Sequence, residues 1–175
     1  MALKQVGWAV ALAMVAIAGL PQSGWSRDMP AGPVSGLPIP RFVSLKSDHV
    51  NVRAGPTKDN DVAWVYTRSG LPVEVTAEFE NWRRVRDSEG AEGWVYHSLL
   101  SGRRTAVVTL KDKDGLVALH DRADGDSAVA ARLEAGVVAQ VRRCNDSWCR
   151  IVGSGFDGWI EKQRLWGVYP DEKVN

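Results

Sequence analysis

The sequence predicts an all-β protein made of two tandem small β-barrels, preceded by an export signal and a linker rich in proline and glycine. Three observations support this fold class. Short motifs recur 66 residues apart, apolar and polar residues alternate within short runs, and Gly, Asn, Asp and Ser cluster between those runs. Short strands joined by frequent turns favour a small closed barrel, because closure limits the exposed strand edges.

The first 26 residues predict an export signal. Lys4 precedes an uncharged apolar run from Val6 to Leu20, which gives way to the polar stretch from Pro21 to Ser26. The apolar run is short for a membrane span, which needs roughly 20 residues, and suits the core of a signal peptide. We expect cleavage after Ser26; cleavage after Ala18 and an uncleaved anchor are the alternatives. Each outcome places the remainder outside the cytoplasm, in the periplasm or secreted.

The linker is predicted over residues 27 to 41. Residues 27 to 40 contain four prolines and two glycines and little charge, a composition that predicts an extended, poorly ordered spacer. The two barrels are then expected at residues 42 to 102 and 106 to 168, with a tail at residues 169 to 175.

Net charge excludes two classes of partner. Without the signal, the chain carries equal numbers of basic and acidic residues, because the signal removes Lys4 and no acid from a total of 22 Lys plus Arg and 21 Asp plus Glu. A strongly basic surface would have indicated nucleic acid or an anionic membrane. We therefore expect neither nucleic acid nor, apart from an uncleaved anchor, membrane as a partner.

The repeat supports the two-barrel prediction. Trp82 and Trp148 lie 66 residues apart, and the same offset superimposes several further residues of matching character. These pairs are Gly70 with Gly136, Val75 with Val141, Arg84 with Arg150, and Val85 with Ile151. One deletion then aligns EGWV, which ends at Val95, with DGWI, which ends at Ile160. Running the offset backwards places the stretch from Val50 to Gly55 on the stretch from Leu116 to Asp121.

The strands are predicted from alternation. Val73, Val75, Ala77 and Phe79 are expected on one, inward face, with Glu74, Thr76 and Glu78 on the other. Residues Ser127 to Ala135 resemble a helix in composition. We expect a strand there, because the stretch from Val62 to Thr67 occupies the equivalent place in the first copy.

The cysteines predict a disulfide across a hairpin turn. Cys144 and Cys149 flank a four-residue turn, and an exported chain can keep such a bond. The 66-residue offset places them on Glu78 and Arg83, and residues directly opposed across a hairpin lie close enough to bond or to pair. The same contact is therefore expected to be a disulfide in one copy and an ion pair in the other. A regulatory thiol switch is the alternative for the cysteines.

Four short motifs of the first copy resemble the bacterial SH3 domain, a small barrel of exported cell-envelope proteins. They are NVRAGPT (Asn51 to Thr57), GLPVEV (Gly70 to Val75), NWRRV (Asn81 to Val85), and GWV (Gly93 to Val95) followed by Leu99 and Leu100. The second copy keeps SWCRI and DGWI, whereas ALHDRAD (Ala118 to Asp124) replaces the first motif. This departure puts a ligand role of its first loop in doubt.

The resemblance implies a role in recognising the peptidoglycan cell wall. The residues that we expect to carry such binding are aromatic rings and arginines, at Arg53, Trp64, Tyr66, Trp82, Arg84, Trp94 and Tyr96. If Val85 is in the core, Trp82 faces outward beside Arg84, since they alternate along the strand. Trp94 and Tyr96 share one face, which Trp64 and Tyr66 are able to join. Rings that cap the barrels or pack them together are the alternative.

We expect no catalysis, metal or cofactor. A cysteine nucleophile needs a free thiolate beside a base, and the two cysteines are expected to be paired. His49, His97 and His120 have no histidine equivalents in the other copy, and two thiols without a nearby histidine fall short of a metal site. The predicted function is a non-catalytic envelope protein that binds peptidoglycan. The alternative is a module that docks another envelope protein through the surface between its two copies.

Overall fold

The structure is a computed structural model that describes residues 29–110 and 115–175. The predicted export signal, residues 1–26, lies outside the described residues. The predicted linker, residues 27–41, is described from Met29 onward. The described chain is all-β, with two short 3-10 turns at His97–Leu99 and Lys162–Arg164. Within these ranges no helix has the length and apolar character needed to cross a membrane.

Barrel 1 contains seven strands. They are β1 (Arg41–Leu45), β2 (Val50–Arg53), β3 (Val62–Tyr66), β4 (Pro72–Phe79), β5 (Trp82–Arg86), β6 (Glu92–Tyr96) and β7 (Leu100–Ser101). Barrel 2 contains seven more. They are β8 (Thr105–Val108), β9 (Val117–His120), β10 (Val129–Leu133), β11 (Val138–Cys144), β12 (Trp148–Gly153), β13 (Phe156–Glu161) and β14 (Leu165–Trp166). Strand β10 confirms that the stretch from Ser127 to Ala135 is not a helix.

The two sheets have the same topology. Their strand orders are β3-β2-β6-β5-β4-β1-β7 and β10-β9-β13-β12-β11-β8-β14, so each strand of barrel 2 takes the place of the strand seven earlier. All the pairs are antiparallel. The prediction of two tandem small barrels is confirmed.

Each barrel encloses its own apolar core. The core of barrel 1 is formed mainly by Leu45, Val50, Val52, Val73, Val75, Val85 and Val95. The core of barrel 2 includes Val108, Leu119, Val141, Ile151, Ile160 and both cysteines. Valine and isoleucine suit these positions, because β-branched side chains pack well on a pleated, half-buried surface.

A β-bulge corrects the predicted alternation of β4. The pairing of β4 with β5 shifts register between Val75 and Ala77, and the pairing of β11 with β12 shifts at the equivalent residues. An extra residue in one strand moves the side chains beyond it to the opposite face. The prediction that Phe79 faces inward is therefore wrong: Phe79 is 48% exposed, whereas Glu78 is 8% exposed.

The predicted alignment of β9 with β2, the second strands of the two barrels, is wrong by one residue. Val50 pairs with Tyr66 in barrel 1, and Val117 pairs with Leu133 in barrel 2, so Val117 and not Leu116 is the equivalent of Val50. Leu116 is 49% exposed. Apolar residues alternate in either alignment, so alternation does not distinguish them. In the structure, Val117 and Leu119 are the residues buried in the core.

The ion pair and the disulfide occupy equivalent positions, as the sequence predicts. Glu78 pairs with Arg83 across the β4–β5 hairpin, and Cys144 pairs with Cys149 across the β11–β12 hairpin. The Arg83 Nε lies 3.2 Å from the Glu78 Oε1, and the two cysteines are bonded to each other. Both pairs are buried at one end of their barrel.

The linker is not an extended spacer in its described part. Residues 30–40 form a turn in which Ala31 and Pro38 make an antiparallel bridge. The amide of Gly32 donates to the carbonyl of Leu37 at 2.7 Å, and the amide of Ile39 donates to the carbonyl of Pro30 at 2.9 Å. Prolines that stiffen a spacer also restrict a turn, so composition alone did not separate the two structures.

This turn is anchored on Glu78. The carboxylate accepts hydrogen bonds from the amides of Val34 and Ser35, at 3.1 and 2.8 Å, and from the Ser35 hydroxyl at 2.5 Å. The Arg41 guanidinium donates to it at 2.9 Å. Burial by itself raises the pKa of Glu78, but these hydrogen bonds outweigh burial and lower the pKa to about 2.

The two barrels contact each other through aromatic rings. The ring of Phe42 lies 5.2 Å from that of Trp166 and 4.7 Å from that of Tyr169, measured between centroids. The guanidinium of Arg68 donates to the carbonyl of Gly136 at 2.7 Å. Part of the surface between the copies, which the docking hypothesis assigned to a partner, is therefore occupied by contacts between the barrels.

A buried carboxylate extends this contact. The Tyr169 hydroxyl donates to Glu74 Oε1 at 2.8 Å, and Arg86 Nε donates to the other oxygen at 3.0 Å. Glu74 is almost fully buried. Burial and the neighbouring Glu74 carboxylate raise the pKa of Tyr169, so its hydroxyl stays protonated and able to donate.

Candidate functional site

Three of the predicted binding residues form one row on the outer face of barrel 1. Trp94 on β6 pairs with Arg53 on β2 and with Arg84 on β5. Residues paired across antiparallel strands share a face, so the indole lies between two arginines. The neighbours Val52, Val85 and Val95 are fully buried on the opposite face. We name Arg53, Trp94 and Arg84 the Trp94 row.

A second aromatic pair continues this face, but only one of its rings is accessible. Trp82 pairs with Tyr96, and their rings meet edge to face at 5.4 Å. Trp82 faces away from Val85, as predicted, yet it is only 7% exposed. A ring on the outer face of a strand is buried when neighbouring side chains cover it. The partly exposed Tyr96 is therefore the ring that a ligand can reach.

Arg84 already has a carboxylate partner. Its guanidinium lies 2.6 Å from the Glu92 carboxylate, and the Arg84 side chain is 49% exposed. Ion pairs at the surface contribute little to stability, about 0–1 kcal/mol, because water and salt screen them. A ligand carboxylate can therefore compete with Glu92 for this guanidinium. Arg53 differs, because one of its nitrogens donates to the carbonyl of Asn60 at 2.6 Å.

Barrel 2 carries an equivalent row. Trp159 pairs with Arg150 and with His120, so the order from strand to strand is basic residue, tryptophan, arginine, as in barrel 1. Arg150 makes two bonds of 2.8 Å to Asp157, the equivalent of the pair between Arg84 and Glu92. We name His120, Trp159 and Arg150 the Trp159 row.

Trp64 and Tyr66 do not join the Trp94 row. They pair with Val52 and Val50, whose side chains face the core, so the two rings lie on the other face of the sheet. Their rings meet edge to face at 6.1 Å. The Tyr66 hydroxyl donates to the Asp87 carboxylate at 2.9 Å. Burial, followed by Asp87, raises the pKa of Tyr66. Trp64 and Tyr66 therefore do not join the face of Trp94 and Tyr96, a possibility that the sequence left open.

The sequence model of the bacterial SH3 domain matches residues 46–102 and again residues 113–167. The chain belongs to the bacterial SH3 domain family. The two matches correspond to barrels 1 and 2, so this is a tandem pair of bacterial SH3 domains.

Two solved structures are similar to this tandem pair. The structure of NlpC2 from Trichomonas vaginalis has 15% sequence identity and a TM-score of 0.33, and the match covers 73% of this chain and 48% of that chain. The structure of NlpC1 from Trichomonas vaginalis has 16% identity and a TM-score of 0.30, covering 78% of this chain and 48% of that chain. This chain thus spans about half the length of each. No curated protein matches the sequence.

Sequence reasoning missed His120 and Asp87. The slip of one residue in β9 of the second SH3 domain aligned His120 with Ala54, although the pairing with Trp159 makes it the equivalent of Arg53. The alternative alignment, which matches Val117 and Leu119 with Val50 and Val52, was the signal that could have corrected it, because Leu119 is larger and more apolar than Ala118. Asp87 was assigned to a turn, and its bond to Tyr66 joins residues 21 positions apart.

Proposed function

We propose that this protein is a non-catalytic cell-envelope protein that binds peptidoglycan through its tandem bacterial SH3 domains. The observation that carries the proposal is the Trp94 row, an indole between two arginines on an outer face, repeated as the Trp159 row. Flat aromatic rings stack on sugar rings, and guanidinium groups bind carboxylates. A polymer of sugars and acidic peptides offers both groups.

The non-catalytic part of the proposal rests on the cysteines. Cys144 and Cys149 are the two cysteines of the sequence, and they are bonded to each other, so neither thiol serves as a nucleophile. A disulfide also suits an oxidising compartment. Together with the apolar run from Val6 to Leu20, it supports a periplasmic or secreted location.

Co-sedimentation with isolated peptidoglycan tests the proposal. We expect the exported protein to pellet with the wall at low and moderate salt. The double variant Trp94→Ala with Trp159→Ala should bind at least tenfold more weakly, because stacking groups at the centre of an interface contribute about 1.4 kcal/mol or more. Arg84→Ala should weaken binding to a smaller extent.

Arg132→Ala is the matched control, because Arg132 is an exposed strand arginine outside both rows. It should pellet as the unmodified protein does, and circular dichroism should show that every variant is folded. Failure of the unmodified protein to pellet at low salt would contradict the proposal. Retention by another envelope protein in place of the wall would favour the docking alternative.

A further inference from the structure

A pocket separate from both rows lies where barrel 1 meets barrel 2. Its volume is about 420 Å³. Trp64 and Tyr66 form one wall with their edge-to-face rings. Val107 of β8 also lines it, so the pocket is complete only in the tandem pair. We name it the Trp64 pocket; its remaining apolar lining consists of Leu71, Pro72, Val73 and Ala91.

The loop between β5 and β6 gives this pocket an acidic rim. One oxygen of Asp87 accepts the amides of Glu89 and Ala91, both at 3.0 Å, and the other accepts the Tyr66 hydroxyl at 2.9 Å. The first carboxylate is thereby held in place. Glu89 adds a second, exposed carboxylate to the lining. Among the described residues, no lysine or arginine lines the Trp64 pocket.

This combination of groups favours an organic cation. Aromatic faces and carboxylates both attract an ammonium group, and the apolar wall accommodates an alkyl chain. The acidic rim would repel an anion, because like charges disfavour each other. The raised pKa of Tyr66 agrees with this environment, since burial is its largest cause and the hydrogen bond to Asp87 and the negative charge of that carboxylate are the next.

We propose that the Trp64 pocket binds a primary ammonium group on a short alkyl chain, such as a free amino group of a wall peptide. This inference rests on the proposed function for the source of the amine, whereas the chemistry of the pocket stands by itself. Among the described residues, barrel 2 does not repeat this lining, because Ala131, Leu133 and Gly153 occupy the places of Trp64, Tyr66 and Asp87. Recognition of the amine therefore depends on the aromatic rings and carboxylates of the first SH3 domain.

Titration with a soluble probe tests the pocket without the wall. We expect n-butylammonium chloride to shift the NMR signals of the Trp64 indole and the Glu89 amide in a saturable manner. At the same concentrations, n-butanol and sodium n-butyrate should cause at least threefold smaller shifts. Equal shifts with all three probes, or none with n-butylammonium, would overturn the inference.

Glu89→Gln should weaken binding of n-butylammonium about three- to tenfold. This variant removes one rim carboxylate and leaves the bonds of Asp87, which hold the loop. Asp126→Asn is the matched control, since it removes one exposed negative charge from a turn of barrel 2. Binding by Glu89→Gln that equals that of the unmodified protein would contradict the assignment, as would an equal loss in Asp126→Asn.

Peptidoglycan with its amino groups acetylated separates this inference from the proposed function. We expect several-fold weaker co-sedimentation with the acetylated wall than with the native wall, because acetylation removes the positive charge. Equal pelleting with both would overturn amine recognition and leave wall binding intact. Pelleting with neither would overturn wall binding, and the n-butylammonium titration then decides the chemistry of the pocket.

Discussion

Glu78 and Arg83 face each other across a hairpin of barrel 1 with 3.2 Å between their charged groups, where barrel 2 has a disulfide. A segment that flanks the barrels docks beside each pair. The turn of residues 30–40 bonds to Glu78, and Val174 forms a bridge with Cys144. Each of these cross-strand links is thus covered by a segment that flanks the barrels.

Glu78→Gln should destabilise the protein by about 2–3 kcal/mol at pH 7, because a buried acceptor of five hydrogen bonds and ion pairs loses its charge. The pKa of Glu78 is lowered from 4.5 to about 2 in the folded protein. Its stabilisation is therefore complete above about pH 4.5 and is lost as the pH falls towards 2.

Urea unfolding of both proteins at pH 7, 4 and 2.5 measures this effect. The difference between unmodified protein and variant should shrink at the lowest pH. Glu80→Gln is the control, because this neighbouring carboxylate is exposed, and it should change stability little at any pH. A difference that stays constant down to pH 2.5 would show that Glu78 is not the titrating group.

Replacing both cysteines by alanine should lower the free energy of unfolding by about 2 kcal/mol, the value expected for so short a closed loop. The disulfide joins residues five positions apart. Unfolding of the unmodified protein in a reductant should show a similar loss. Mass spectrometry of the unreduced exported protein should find no free thiol, and two free thiols would refute the bond.

Tyr169→Ala should uncouple the two barrels. It removes the ring that lies 4.7 Å from Phe42 and the hydroxyl that donates to Glu74. We expect a loss of about 2–3 kcal/mol and two separate unfolding steps in calorimetry. Tyr169→Phe keeps the ring and should cost only about 1 kcal/mol. A single transition at an unchanged temperature in Tyr169→Ala would contradict this coupling.

Gly93→Ala should destabilise barrel 1 by about 1–3 kcal/mol through overpacking. An added Cβ would overlap Val52 Cγ1, and Val52 is fully buried. Gly102→Ala is the control, since its Cβ would meet nothing within 4 Å. Thermal unfolding compares the two variants. Equal melting temperatures would contradict the prediction and mean that the core of barrel 1 accommodates the added methyl group.

Several features of the candidate site were predictable because they depend on spacing along one or two strands. The shared face of Trp94 and Tyr96 follows from alternation, and the match of Glu78 with Cys144 follows from the repeat. The burial of Trp82 was not predictable. Alternation predicts the face of the strand on which a ring lies. Whether Trp82 is covered depends on its contact with Tyr96, which belongs to the next strand.

The number of barrels, their class and the hairpin that carries the disulfide were predictable from the sequence, because periodicity and turn residues act locally. The frame of β9, the docking of the linker on Glu78, and the separation of Trp64 from Trp94 became visible only in the folded barrels. Each of these depends on bulges, or on contacts between residues distant in the chain, which form only when the barrels close and pack together.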